Sequence, residues 1–382
     1  MHIPYHKSLI GGEEIAEVNS VLRSGWLTSG PKVREFEMEF AAATGATHAL
    51  ALNSCTAGLN LALRYLDLKP GDEVITSPYS FVAASNAIVN QGGKVVFADV
   101  VPATLNINPV EVRNAITPRT RAVLAVHLGG NPCEMEDLVN LCSERGIPLI
   151  EDCAHSLGGS YDGRATGTFG FAGIFSFYPT KNITAAEGGM LITNDTDFSA
   201  WVSQMRKHGM NMDTWERQDL HEYRHYDVTN AGWKCNMTDV QAAIGLWQLR
   251  RLGAMQTRRH EITGKYDEAF GRAGGLRLIQ ANRRGIHSRH LYILQIVEGS
   301  LKCNRDELIR RIQKEGIMLS VNYTPVHLFS WYRKNYGFKP GDFPNSEKAG
   351  ANTFSIPIYP ALTNMEVDYV IGRISRVVEG AG

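Results

Sequence analysis

The chain has 382 residues, enough for a large core and beyond the length at which a single core usually divides. Lys+Arg and Asp+Glu both number 39, so no net charge points to nucleic acid or to an acidic membrane surface. No run of about 18 apolar residues occurs, Met1-His-Ile-Pro-Tyr-His-Lys carries no apolar signal core, and the six cysteines form no CxxC pair; a cytoplasmic protein with reduced thiols is expected.

Ile15, Val18 and Leu22 lie on one face of a first predicted helix, which Gly25 stops. A loop at 26–31 leads to a second helix with Val33, Phe36 and Phe40 in its apolar stripe. From 48 to 152 strands and helices alternate. Strands are expected at 48–52, 73–77, 94–99, 122–127 and 148–151, and helices near 56–65, 82–89, 109–116 and 135–144. This alternation predicts a mostly parallel sheet covered on both faces, which 172–177 and 190–193 extend to seven strands. Residues 210–230 are polar and aperiodic and read as a long surface excursion covering a site or a partner. Thr238 caps a helix carrying Val240, Ala243, Ile244, Trp247 and Leu249, and a basic helical connector follows at 250–270. A strand at 291–297, a helix at 305–315, a strand at 318–323 and a last helix at 365–378 then form a different rhythm. The expected division is a large domain at 1–250, with an N-terminal arm, and a smaller α+β domain at 251–382.

The chemistry centres on 171–189. A short buried strand there delivers Lys181 into a polar, glycine-rich turn, where an amine can be desolvated, lose its proton and attack a carbonyl. Upstream, Ile147-Pro-Leu-Ile-Glu-Asp152 is an apolar run ending in a carboxylate, which is costly there unless it is paired. Two neighbouring strand ends, one giving an acid and one a lysine, could grip opposite sides of a pyridine cofactor, with Asp152 keeping the ring protonated. His155 is close enough in sequence to touch the same ring, although a satisfied, partly buried histidine is the ordinary alternative. Asn53-Ser-Cys-Thr-Ala-Gly58 follows a strand and opens a helix, a ready phosphate site, or else a plain cap made by Ser54 or Thr56. Ser176 could give a hydroxyl to a phosphate. Phe81 could stack on a ring, though core packing is the default for any Phe.

Taken together, these residues resemble the sugar aminotransferases of the DegT–DnrJ–StrS group, fold-type-I pyridoxal-phosphate enzymes. The resemblance begins at Gly25-Trp-Leu-Thr-Ser-Gly-Pro31 with Phe36-Glu37. It continues through Asn53-Ser-Cys-Thr-Ala-Gly58 and Val126-His-Leu-Gly-Gly-Asn131, and is most specific at Glu151-Asp-Cys-Ala-His155 and Phe175-Ser-Phe-Tyr-Pro-Thr-Lys181. Gly232-Trp-Lys-Cys-Asn-Met-Thr-Asp239 completes it. It implies pyridoxal 5′-phosphate as cofactor, with Lys181 condensing with its aldehyde, Asp152 on the pyridinium, His155 beside the ring hydroxyl and Phe81 on the ring face. Thr56, Ala57 and Ser176 would bind the phosphate, and Asn236 would reach the neighbouring subunit's site in a homodimer. Trp26, Leu27, Thr28, Glu187 and His327 are implied as substrate contacts, and no metal is implied. The implied reaction is a ping-pong transfer from an amino acid, commonly glutamate, to a nucleotide-linked keto sugar. Lys181-Asn-Ile-Thr-Ala-Ala-Glu187-Gly-Gly looks more like members that aminate C4 than C3. A cysteine desulfurase on the same scaffold and a sensor without turnover are the competing readings. The first lacks a mobile nucleophilic cysteine and the second a DNA-binding segment.

Overall fold

The computed structural model describes residues 1–212, 215 and 225–382. Its largest element is a seven-stranded sheet: β1 (His48–Leu52), β2 (Glu73–Thr76), β3 (Lys94–Phe97), β4 (Thr120–Val126), β5 (Leu149–Asp152), β6 (Ala172–Ser176) and β7 (Gly189–Thr193). The order is β1-β7-β6-β5-β4-β2-β3, parallel from β6 to β3, with β7 antiparallel to both of its neighbours. Every residue of β2, β5 and β7 is buried, as expected of strands covered on both faces. Because β7 runs backwards, the turn after β6 needs no crossover helix, and the Lys181 turn fills that space.

Gly189 makes this return possible. A Cβ there would lie 2.5 Å from the Ser54 carbonyl carbon and the Cys55 nitrogen, so only glycine lets β7 pass the start of the helix Cys55–Tyr65. The turn itself is pinned from inside. Asn182 donates to the carbonyls of Leu157 and Ser288 at 3.1 and 2.9 Å, and Ile183 and Ala185 are buried.

The second body is a three-stranded antiparallel sheet of β8 (Leu276–Leu278), β9 (Tyr292–Ile296) and β10 (Thr353–Ile356). The helices Leu252–Phe270, Arg305–Lys314 and Asn364–Glu379 close its core. The long helix Leu252–Phe270 is rooted in both bodies: Met255 packs with Phe36 and Phe177, whereas Ile262, Tyr266 and Phe270 pack with Leu294 and Ile374. Two crossings blur the division expected at 250. Ile3 pairs with the second body through Gly316 and Met318 (2.8 and 2.9 Å), and Val326 and Tyr332 pack into the core of the first.

Two expectations need correction. The strand expected at 318–323 does not form; Ser320 makes one bridge to Ser355, and the third strand of the small sheet is Thr353–Ile356, whose four residues before Pro357 are too few to stand out. In the helix Gly12–Ser24, Ile15 and Leu22 are 56% and 53% exposed, whereas Glu14 and Val21 are buried. Polar contacts decide that orientation: the Glu14 carboxylate accepts from Arg251, from Gln248 at 2.6 Å and from the Gly11 N–H at 2.9 Å. Of the excursion at 210–230, residues 213, 214 and 216–224 lie outside the described residues.

Asp239 ties two distant motifs together. Its carboxylate accepts the backbone N–H groups of Gly30, Lys32 and Val33 at 2.8, 3.2 and 3.0 Å, capping the helix Pro31–Thr44 from 200 residues away in sequence. Asp239→Ala leaves these buried donors unpaired and is expected to lower stability by about 2 kcal/mol, read as a lower urea midpoint with an unchanged slope.

Candidate active site

The strands β5 and β6 lie side by side in parallel, with Asp152 opposite Ile174 in register. Successive side chains of a strand face opposite ways. Glu151 therefore points to the far side, where it accepts N–H groups from Gly167, Phe169 and Gly170 at 2.7–2.8 Å and lies 3.1 Å from His127 Nε2. Asp152, the last residue of β5, faces a cavity of about 500 Å³ at the carboxyl ends of the strands. His127, Glu151 and Cys153 are the one His/Cys/Asp/Glu group among the described residues close enough to hold a metal. Its ligand atoms are already engaged, however, since His127 Nδ1 accepts from Cys133 N–H at 3.1 Å.

The cavity gathers Thr56, Phe81, Asp152, His155, Ser176, Lys181 and Glu187 from the residues expected at the site. Ser54 caps the helix Cys55–Tyr65 by accepting the Ala57 N–H at 3.1 Å, so Ala57 lies just behind the wall. The remaining first-turn N–H groups have no intrahelical acceptor. Asn236 lies outside its own chain's cavity, donating to Ser29 Oγ at 2.6 Å and accepting from Lys234 Nζ. Trp26, Leu27 and Thr28 also stay outside. The Trp26 indole N–H donates to the Ser29 carbonyl at 3.1 Å, the Thr28 carbonyl accepts the Asp239 N–H at 3.2 Å, and the Leu27 side chain is exposed.

His327 does not meet the cavity at all. It is fully buried, 3.0 Å from Glu347 Oε1 and edge-on to Phe343. Asn322 and Tyr323, a few positions earlier in the chain, contribute to the wall instead. Tyr5 is a further lining residue that sequence reasoning missed; it arrives on the N-terminal arm, and its hydroxyl donates to Asn322 Oδ1 at 3.1 Å. No local pattern around Tyr5 signals this, because the contact spans 317 positions.

The electrostatics follow from burial. Desolvation brings Lys181 down to about 8, against the opposing pull of Asp152 and Cys55. Desolvation also raises Asp152, opposed by the Ala154 N–H at 3.0 Å and by the charges of Lys181 and His127. Its second oxygen, Oδ2, has no hydrogen-bond partner among the described residues. Cys55 Sγ stands 4.0 Å from Oδ1, and burial pushes that thiol far up. His155 accepts the Gly129 N–H at Nδ1 (3.2 Å), so Nε2 carries the hydrogen and donates to Tyr323 Oη at 3.1 Å. Burial, and then the charge of Lys181, hold His155 well below its usual ionisation. A carboxylate oxygen lacking a donor, a buried amine that titrates near neutrality and a helix N-terminus together suit a pyridine ring bearing an aldehyde and a phosphate.

Because Asp152 raises the pKa of Lys181, its removal must lower it. In Asp152→Asn apoprotein the Lys181 amine is expected to titrate below 8 and to react about fivefold faster at pH 7 for a first tenfold gain in acidity, measured by pH-dependent amine labelling with peptide mass spectrometry.

The same architecture occurs in known proteins. The profile of the DegT/DnrJ/EryC1/StrS aminotransferase family matches residues 8–375. The spore coat polysaccharide biosynthesis protein SpsC of Bacillus subtilis is 45% identical over 380 residues, covering 99% of this chain and 98% of the relative. The aminotransferase TlmJ from Streptoalloteichus hindustanus superposes with a TM-score of 0.91 at 34% identity, covering 100% of both chains. Spr1654 of Streptococcus pneumoniae, solved in apo, PLP and PMP forms, is 31% identical in each. TM-scores are 0.92–0.93, with 99–100% of this chain and 98–100% of that one covered. The fold is that of the pyridoxal-phosphate sugar aminotransferases, and the chain belongs to the DegT/DnrJ/EryC1/StrS aminotransferase family.

Proposed function

We propose that this chain uses pyridoxal 5′-phosphate to move an amino group from L-glutamate to C4 of a nucleotide-linked keto sugar, in a ping-pong sequence, as a cytoplasmic homodimer. The observation that carries the reading is the convergence of Lys181 and Asp152, from adjacent parallel strand ends, on one cavity. Bound there, the cofactor supplies an aldehyde that takes the amino group and a protonated ring that draws electrons from the reacting carbon.

Each residue has a defined task. Asp152 Oδ2 holds the ring N–H, and this charge partner offsets the cost of burying the carboxylate. His155, neutral and with its tautomer set by Gly129, lies beside the ring hydroxyl. Phe81 covers the ring face, and Thr56, Ala57 and Ser176 hold the phosphate. Lys181 Nζ shuttles the proton. With a pKa of about 8, about a tenth of it is free base at pH 7, against roughly one part in 3,000 for an unperturbed lysine. That free amine removes the donor's α-proton and returns a proton to complete the transfer. Glu187, at the mouth of the cavity, contacts the sugar.

Likeness to SpsC, a polysaccharide biosynthesis protein, supports a sugar acceptor. The Lys181–Gly189 turn supports C4 over C3. Two features support a dimer with shared sites: Asn236 stands outside its own cavity beside Lys234, and Ile15, Leu22 and Met38 are large apolar side chains left exposed.

L-glutamate alone is expected to release one 2-oxoglutarate per cofactor, and a keto-sugar panel to yield amine product, by mass spectrometry, from 4-keto compounds. Product from 3-keto sugars only would overturn the C4 assignment. Lys181→Ala should lose the borohydride-reducible yellow colour and at least about 10³-fold in turnover. Sedimentation at a monomer mass would remove the dimer.

A further inference from the structure

Beside Lys181 a second, smaller cavity of about 60 Å³ opens, bounded by Tyr5, His6, His290, Asn322, Tyr323 and the lysine itself. Space of that size admits a few water-sized groups. Among the described residues no carboxylate lines it. Its polar groups are also incompletely matched. His290 is 5% exposed, and its Nδ1 has no hydrogen-bond partner among the described residues. Asn322 Oδ1 is taken by the Tyr5 hydroxyl at 3.1 Å, and its amide NH₂ faces the Tyr323 hydroxyl on the same wall.

Directly behind this cavity lies Arg259, 1% exposed. Its NH1 donates to the carbonyls of Arg289 and Ile358 at 3.1 and 3.2 Å; Ile358 is part of the cavity wall, and Arg289 immediately precedes His290. Among the described residues no carboxylate pairs with the guanidinium, and its Nε has no acceptor. A buried cation compensated only by carbonyls is costly and leaves an uncancelled positive field. The two histidines add no charge of their own: burial, followed by the charge of Arg259, takes His6 down to about 4, and burial with neighbouring His155, Lys181 and Arg259 takes His290 down as well. The cavity is therefore a pocket of neutral hydrogen-bonding groups over one fixed positive charge, adjoining the amine that handles the α-proton.

We propose that this side cavity is the carboxylate subsite of the amino donor, with Arg259 supplying the charge and His290 and Asn322 the directional hydrogen bonds. The inference rests on the aminotransferase reading and deepens it, because it restricts the donor to amino acids and excludes simple amines.

The test uses the cofactor-loaded full chain and two variants. Asn322→Asp is nearly isosteric and keeps the acceptor for Tyr5, but replaces a donor with a negative charge. Arg259→Met removes the fixed charge, and Asn322→Asp decides the matter alone if Arg259→Met does not fold. Glutarate, a carboxylate without an amine, is expected to bind the unmodified protein in saturation-transfer NMR and to bind each folded variant at least tenfold more weakly. In steady-state assays kcat/KM for L-glutamate should fall 10–100-fold, mainly through KM, with borohydride-reducible cofactor loading at Lys181 unchanged. A loss in kcat with KM unchanged, or unchanged glutarate binding, overturns the subsite. If glutarate binds in an Asn322-sensitive manner while L-glutamate yields no keto acid, the carboxylate site stands and the aminotransferase reading fails.

Discussion

The organisation of the site depends on one constraint: a lysine and an aspartate, of opposite sign, are held out of water at the ends of two parallel strands. Neither is comfortable there. Burial takes Lys181 down and Asp152 up, and each partly restores the other's charge. A compact core would not retain such a pair unless the surrounding structure fixed it, and several neighbours do so. Asn182 pins the lysine turn, Glu151 clamps the loop behind Asp152, and Gly189 lets the return strand pass the helix that opens beside them.

The sheet was legible because its strands are buried on both faces and separated by turn residues, so apolar runs and helical periods alternate cleanly between 48 and 193. Asp152 stood out for the same reason, since it closes an apolar run with a charged group. The misreadings have other causes. Ile15 and Leu22 form a periodic stripe, but Glu14 finds Arg251 and Gln248 and turns the helix the other way. Asn322, Tyr323 and His327 sit in one short segment, and nothing local shows that the first two reach the cavity while the third turns into an aromatic cluster. Tyr5 depends on a contact made across the whole fold.

Several motifs behind the family resemblance proved to be structural devices. Gly25 to Pro31 and Gly232 to Asp239 meet because a carboxylate from one caps a helix begun by the other. Glu37, in turn, accepts the Ala51 N–H at 2.7 Å and pairs with Arg206, fixing β1 against the helix Pro31–Thr44. Asp239 and Glu37 thereby help set where the chemical groups stand.

The helix Leu252–Phe270 begins in one core and ends in the other. The walls it joins are of mixed origin: Lys181 and Asp152 belong to the seven-stranded sheet, whereas Asn322 stands beside the three-stranded one. The width of the reaction chamber is therefore a property of the angle between two bodies, and this helix is one of the struts that set it. A repacking along that strut, many residues from the chemistry, would retune the grip on substrate while leaving every reacting side chain intact.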